Sequence, residues 1–208
     1  MSPLIGICRH RLSVDGQGVT TLVGFHGCPL RCKYCLNPQC LSADGVWQTL
    51  SADEILQQLQ ADDLYFRATG GGVCFGGGEP LLHSAVIKEL CRRMPDEWAV
   101  TIETSLNVPL QHVEAVAPFV CQWIIDIKDM NPDIYQRYTS RQNDLVRQNL
   151  QWLAAQTSPV GGGQERAAVL IRLPLIPGYN TPDDVAASRR ELQALGFTHF
   201  DEFQYQKK

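Results

Sequence analysis

Six short apolar segments, each followed by an amphipathic stretch except the last, constrain this chain more than any other feature of its sequence. They are "TTLVGF", "GGVCFGGGEP", "EWAVTIET", "QWIIDIK", "AAVLIRLPL" and "THFDEFQY". Helical patterns lie between them. "SADEILQQLQ" opens with Ser51 and has Glu54 three residues on, a capping-box pattern, with Ile55, Leu56 and Leu59 on one face. "HSAVIKELCRRM", "PLQHVEAVA", "NPDIYQRY", "NDLVRQNLQWLAAQ" and "PDDVAASRRELQAL" read as further helices. Parallel strands need a crossover connection, so this alternation predicts a parallel α/β sheet with right-handed crossovers, either doubly wound or curled toward a barrel. Six units fall short of the eight that close a full barrel. Ahead of the first strand, "PLIGIC" reads as a short extended piece that turns through the polar "SVDGQG".

At 208 residues and 44% hydrophobic content, the chain can bury one sizeable core and is read as one domain, 1–208. Its formal charge of -4 comes without any basic run, which argues against nucleic acid as a partner. The N-terminal "MSPLIGICRHRL" has an apolar patch broken by Arg9, His10 and Arg11, and no stretch is long enough to span a membrane. A cytoplasmic setting is therefore expected, where thiols stay reduced and disulfides are disfavoured.

Four of the eight cysteines fall in "FHGCPLRCKYCLNPQC". Cys28, Cys32 and Cys35 are separated by three and then two residues, immediately after the first strand, and Cys40 follows after four more. Three thiolates can hold three irons of a [4Fe-4S] cube and leave the fourth iron open to an external ligand. Four thiolates can instead hold a structural zinc, although zinc ribbons usually pair two C-x-x-C knuckles. Other polar residues also gather at strand ends: Glu79 after the second, Glu103 and Thr104 after the third, Asp126 and Lys128 at the fourth. That edge binds ligands in both candidate architectures. The glycines of "GGGEP" let backbone approach a ligand closely, and the Glu79 carboxylate could receive an ammonium group. Cys8, Cys74, Cys91 and Cys121 are scattered and read as small core residues.

Together, the C-x-x-x-C-x-x-C loop and the downstream "GGEP" resemble the radical S-adenosylmethionine superfamily. "SVDGQG", "GCPLRCKYCLNP", "YFRATGGGVCFGGGEPLL", "IIDIKDM" and "PLIPGYN", in that order over most of the chain, resemble its glycyl-radical-enzyme activating branch. The resemblance implies a partial (β/α)6 TIM-type barrel with parallel strands, open on one side, with a cluster loop at 26–40 in its mouth. It implies that Cys28, Cys32 and Cys35 ligate a [4Fe-4S] cluster and that Cys40 is a bystander. It places the methionine amino group of S-adenosylmethionine at Gly77, Gly78 and Glu79, adenine near Tyr34, and the carboxylate near Asp126 and Lys128. Glu103, Thr104 and Asp126 match positions that hold a monovalent cation in such activators. Arg172, between Ile171 and Leu173, could point into the same site or face water at a strand end. The implied activity is reductive cleavage of S-adenosylmethionine to a 5'-deoxyadenosyl radical, used to install a glycyl radical on a partner enzyme. A flavodoxin-like or other low-potential electron donor would supply the electron.

Four positions depart from the family pattern. Gly76 stands where serine is usual, His26 where glutamine is common, Glu103 where aspartate is usual, and Gln206 where relatives carry histidine. "SPVGGGQER" at 158–166 could border the side opening, or simply connect two elements.

Overall fold

A computed structural model describes residues 1–12, 14–157 and 167–205; the segment at 158–166 and Gln206 lie outside the described residues. Among the described residues eight strands form one sheet: β1 Ser2–Leu12, β2 Val19–Phe25, β3 Gln48–Leu50, β4 Gly72–Gly77, β5 Ala99–Thr104, β6 Gln122–Asp126, β7 Ala168–Leu175 and β8 His199–Gln204. Their spatial order is β3-β1-β2-β4-β5-β6-β7-β8. β2 and β4 to β8 run parallel in chain order and are the six strands expected from the sequence. β3 and β8 end the sheet without pairing with each other, so it stays open on one side. Its curvature carries the β1–β2 turn across to β7, where Arg172 donates to the Val14 carbonyl at 2.9 Å.

The helices are α1 Ala52–Gln60, α2 Asp63–Thr69, α3 Ser84–Cys91, α4 Leu110–Val116, α5 Pro132–Thr139, α6 Asp144–Thr157 and α7 Pro182–Ala194. Ser51 and Glu54 form the capping box that starts α1, and Thr181 and Asp184 form another at α7. Each satisfies helix N–H groups that have no intrahelical acceptor. Ile55 and Leu59 of α1 and Ile87 and Leu90 of α3 are fully buried in the core shared with Val73, Phe75 and Ile102 of the sheet. Each such side chain contributes roughly 1.5–3 kcal/mol of burial free energy. The central strands β4 and β6 are buried along most of their length, which their unbroken apolar runs anticipate.

Three local features differ from the sequence reading. The "PLIGIC" segment belongs to an eleven-residue strand, antiparallel to both β2 and β3. β3 has only three residues and no apolar alternation to announce it. α2 was hidden by its shortness, although its end carries a clear stop, Gly70 at φ 66. The scattered cysteines also need correction. Cys74 is buried, but Cys8 and Cys121 are exposed and Cys91 is half-buried. Cys8 lies on β1 beyond Leu4, the last residue paired to β3, and Cys121 precedes the first residue of β6.

Candidate active site

A cavity of about 340 Å³ opens at the C-terminal edge of the parallel strands. Its wall includes Cys28, Cys32 and Cys35 after β2, Gly77 and Gly78 after β4, Glu103 and Thr104 of β5, and Asp126 and Lys128 at β6. These are strand-end positions that the sequence pattern singled out. A second cavity of about 330 Å³ lies at the opposite end of β6 to β8, beside Gln122 and His199; it holds none of the cysteines.

The cysteine loop is held by backbone. Gly27, at φ 96, donates to the Cys40 carbonyl at 2.9 Å and accepts from the Glu79 N–H at 2.8 Å. The N–H of Gly78 donates to Phe25 at 2.9 Å, and Asn37 Nδ2 donates to the Gly77 carbonyl at 2.9 Å. A Cβ on Gly78 would lie 2.2 Å from the Gly27 carbonyl oxygen, so the approach of the two turns requires glycine there. On the far side, Arg31 and Lys33 N–H groups donate to Thr139 and Tyr138 carbonyls at the end of α5.

Burial, reinforced by the charge of Glu79, pushes the Cys28 thiol up to about 12. Burial also raises Cys32. Cys35 is lowered by a hydrogen bond from the Cys40 thiol and by the Asn37 backbone. Burial thus favours neutral thiols at Cys28 and Cys32, and a cation bound beside them would favour their thiolates.

Glu79 and Tyr34 stand behind the wall, among the described residues. Glu79 is 1% exposed and accepts from Thr104 Oγ1 at 2.6 Å, Ser105 Oγ at 2.6 Å, Ser105 N at 3.0 Å and Leu81 N at 3.3 Å. Burial raises its pKa and these four donors oppose the rise. It ties the turn after β4 to the end of β5. Tyr34 donates to the Pro177 carbonyl at 3.3 Å, and its ring meets Tyr138 and Tyr179 edge-on.

Charged groups pair at the site, with Glu103, Asp126 and Lys128 on the cavity wall and Arg172 behind it. Lys128 Nζ lies 3.3 Å from Asp126 Oδ2, with the lysine side chain 9% exposed, so this is not a surface ion pair. Burial lowers the lysine's pKa, but Asp126 and neighbouring tyrosines raise it further, and the net shift is upward. Arg172 Nη1 donates to Glu103 Oε1 at 2.6 Å and is largely buried. Arg172 therefore points into the barrel, against Glu103.

Sequence reasoning missed Arg11, Asp15 and Tyr205. Arg11 and Tyr205 line the cavity, and Arg11 forks onto the buried Asp15 with one contact at 3.0 Å. Asp15 sits in "SVDGQG", where turn chemistry masked its burial. Tyr205 lies 6.0 Å beneath the Lys128 ammonium.

The family model described as Radical SAM superfamily matches residues 22–190, and the chain belongs to that superfamily. It is 34% identical over 154 residues to the (2S)-3-sulfopropanediol dehydratase activating enzyme of Klebsiella oxytoca, covering 68% of this chain and 46% of that protein. It is 28% identical over 179 residues to the pyruvate formate-lyase-activating enzyme of Staphylococcus aureus, covering 83% of this chain and 68% of that protein. The chain thus spans about half the length of the first of these relatives. The crystal structure of Streptococcus suis SuiB superposes with a TM-score of 0.65 at 13% identity, covering 88% of this chain and 38% of that one. That likeness is one of fold.

Proposed function

We propose that the chain is a glycyl-radical-enzyme activating enzyme that binds a [4Fe-4S] cluster through Cys28, Cys32 and Cys35 and S-adenosylmethionine in the adjoining cavity. The carrying observation is that three cysteine thiols, a glycine turn and the Asp126–Lys128 pair share one cavity wall. Bound and reduced, the cluster would supply one electron to the sulfonium of S-adenosylmethionine, whose cleavage would give methionine and a 5'-deoxyadenosyl radical.

The chain's own residues bind and orient. Lys128, kept protonated by Asp126, offers a cation to the cofactor carboxylate. Gly77 and Gly78 let the cofactor's amino group come close to backbone. Glu79 acts at one remove, holding Thr104 and Ser105 in place. Tyr34 supports the cysteine loop from behind, against Tyr138 and Tyr179. Partner and donor follow the same reading: a glycyl radical enzyme as substrate and a flavodoxin-like or other low-potential reductant, in the cytoplasm. No helix among the described residues is long and apolar enough to cross a membrane.

The test is anaerobic reconstitution followed by reduction with S-adenosylmethionine. Release of 5'-deoxyadenosine, and a glycine-centred signal by electron paramagnetic resonance when a glycyl radical enzyme is added, are the expected results. Cluster-loaded protein that never cleaves the cofactor under strong reductant would defeat the enzyme reading. Cleavage without any glycyl radical, together with turnover of a free metabolite, would defeat the activase reading.

A further inference from the structure

Resting on that reading of the cavity, we propose that Arg172 and Lys128 are the site's built-in counter-cations, so that cofactor binding needs no alkali-metal ion. The resemblance implies a monovalent cation near Glu103, Thr104 and Asp126. Side-chain oxygens of all three residues are already engaged. Glu103 Oε1 accepts from Arg172 Nη1 at 2.6 Å, Asp126 Oδ2 lies 3.3 Å from Lys128 Nζ, and the Thr104 hydroxyl donates to the buried Glu79 at 2.6 Å while accepting from Leu106 N–H at 2.9 Å. Two carboxylates thus face two cations. An alkali ion bound at Glu103 Oε1 would have to displace a guanidinium that is also bonded to the Val14 carbonyl.

Two departures from the family pattern explain how this arises. Glu103 is one methylene longer than the usual aspartate, and Gly76 lacks the side chain of the usual serine. A Cβ at Gly76 would lie 3.3 Å from Glu103 Oε2 and 3.1 Å from Leu22 Cδ1. The glycine leaves room for the longer carboxylate, which reaches across to Arg172. Asp201, 3.8 Å from Arg172 Nε and half exposed, adds a solvent-screened anion on the other side of the guanidinium. Guanidinium is a planar multi-donor cation that stays charged at all relevant pH, so the neutralisation is permanent and independent of salt identity.

The experiment measures the dissociation constant of S-adenosylmethionine for cluster-loaded protein in potassium chloride and in tetramethylammonium chloride at equal ionic strength. The wild type is expected to agree within about twofold between the two salts. Arg172→Gln exposes the Glu103 charge and is expected to bind at least about fivefold more tightly in potassium, whereas Arg172→Lys keeps the charge and stays salt-insensitive. A wild type that loses more than about fivefold in affinity on replacing potassium overturns the proposal. Thermal unfolding of the cluster-loaded wild type without cofactor gives an independent readout in the same two salts. Melting temperatures within about one degree support built-in neutralisation, and a rise of several degrees in potassium overturns it. If S-adenosylmethionine binds in neither salt, the cofactor reading fails, and the melting comparison still decides whether the acidic pair takes an alkali ion.

Discussion

Replacing Glu79 by alanine should damage folding before it damages cofactor chemistry. The carboxylate is 1% exposed and takes four donors, two hydroxyls and two backbone N–H groups. In Glu79→Ala the Thr104 and Ser105 hydroxyls can rotate to other acceptors, but the Ser105 and Leu81 N–H groups cannot. Each buried orphan costs about 1–3 kcal/mol, with Leu81 at the low end because its bond is long. The lost methylene and carboxyl volume adds about 1 kcal/mol. The total is about 3–5 kcal/mol out of a usual total stability of about 5–15 kcal/mol. Urea unfolding of the cluster-free chain, followed through the buried Trp98 and Trp123, should show the midpoint falling by about 2 M. Glu79→Gln keeps the shape and one acceptor oxygen, and should lose about half as much. A Glu79→Ala protein with the wild-type midpoint and abolished S-adenosylmethionine binding would show that the side chain meets the ligand, and the reasoning would be wrong.

Cys28→Ala, Cys32→Ala and Cys35→Ala should each lose the iron of about four atoms per chain that reconstitution gives, while Cys40→Ala should retain it; iron and sulfide analysis checks this. In the cluster-free chain, iodoacetamide at neutral pH should alkylate Cys35 well before Cys28. Cys35 is lowered and Cys28 pushed up to about 12, so only the former carries appreciable thiolate, and raising the pH should narrow the gap. Mass mapping of the labelled peptides reads the order.

The parallel core was legible because its strands are buried on both faces and read as unbroken apolar runs, as in "QWIID". β1 was read too short because its outer half is an exposed edge that carries Arg9, His10 and Arg11, and charge there looks like loop. At the site, spacing alone located the cysteines, and strand-end position located Glu103, Asp126 and Lys128. What spacing cannot convey is the direction of a side chain at the end of a strand. Glu79 has the chemistry to meet an ammonium group, yet it turns inward because Thr104 and Ser105 hydroxyls wait one strand away. Arg172 had two readings, into the site or toward water, until its partner Glu103 on β5 was known. Asp15 was indistinguishable from an ordinary turn aspartate until the curvature of the sheet buried it under Arg11.

Removing the cluster should leave the fold intact, unlike the small zinc domains that unfold when chelated. The cysteine loop is anchored on three sides by contacts that involve no thiol. The Gly27 backbone bonds to Cys40 and Glu79 backbone, Arg31 and Lys33 N–H groups bond to the end of α5, and Asn37 bonds to Gly77. Arg141 adds a bond to the Pro29 carbonyl at 3.0 Å. About six hydrogen bonds at a net 0.5–1.5 kcal/mol each offset the ordering of only a few of the residues in 26–40, at about 1–2 kcal/mol apiece, so what they fix is the loop's points of attachment. With these anchors in place the loop stays attached to the barrel when the thiols are unligated. Chelating the iron should leave the far-ultraviolet circular dichroism unchanged and lower the melting temperature only by the linkage of cluster binding. Loss of secondary structure on chelation would mean that the cluster, and not the hydrogen-bonded loop, holds the mouth of the barrel together.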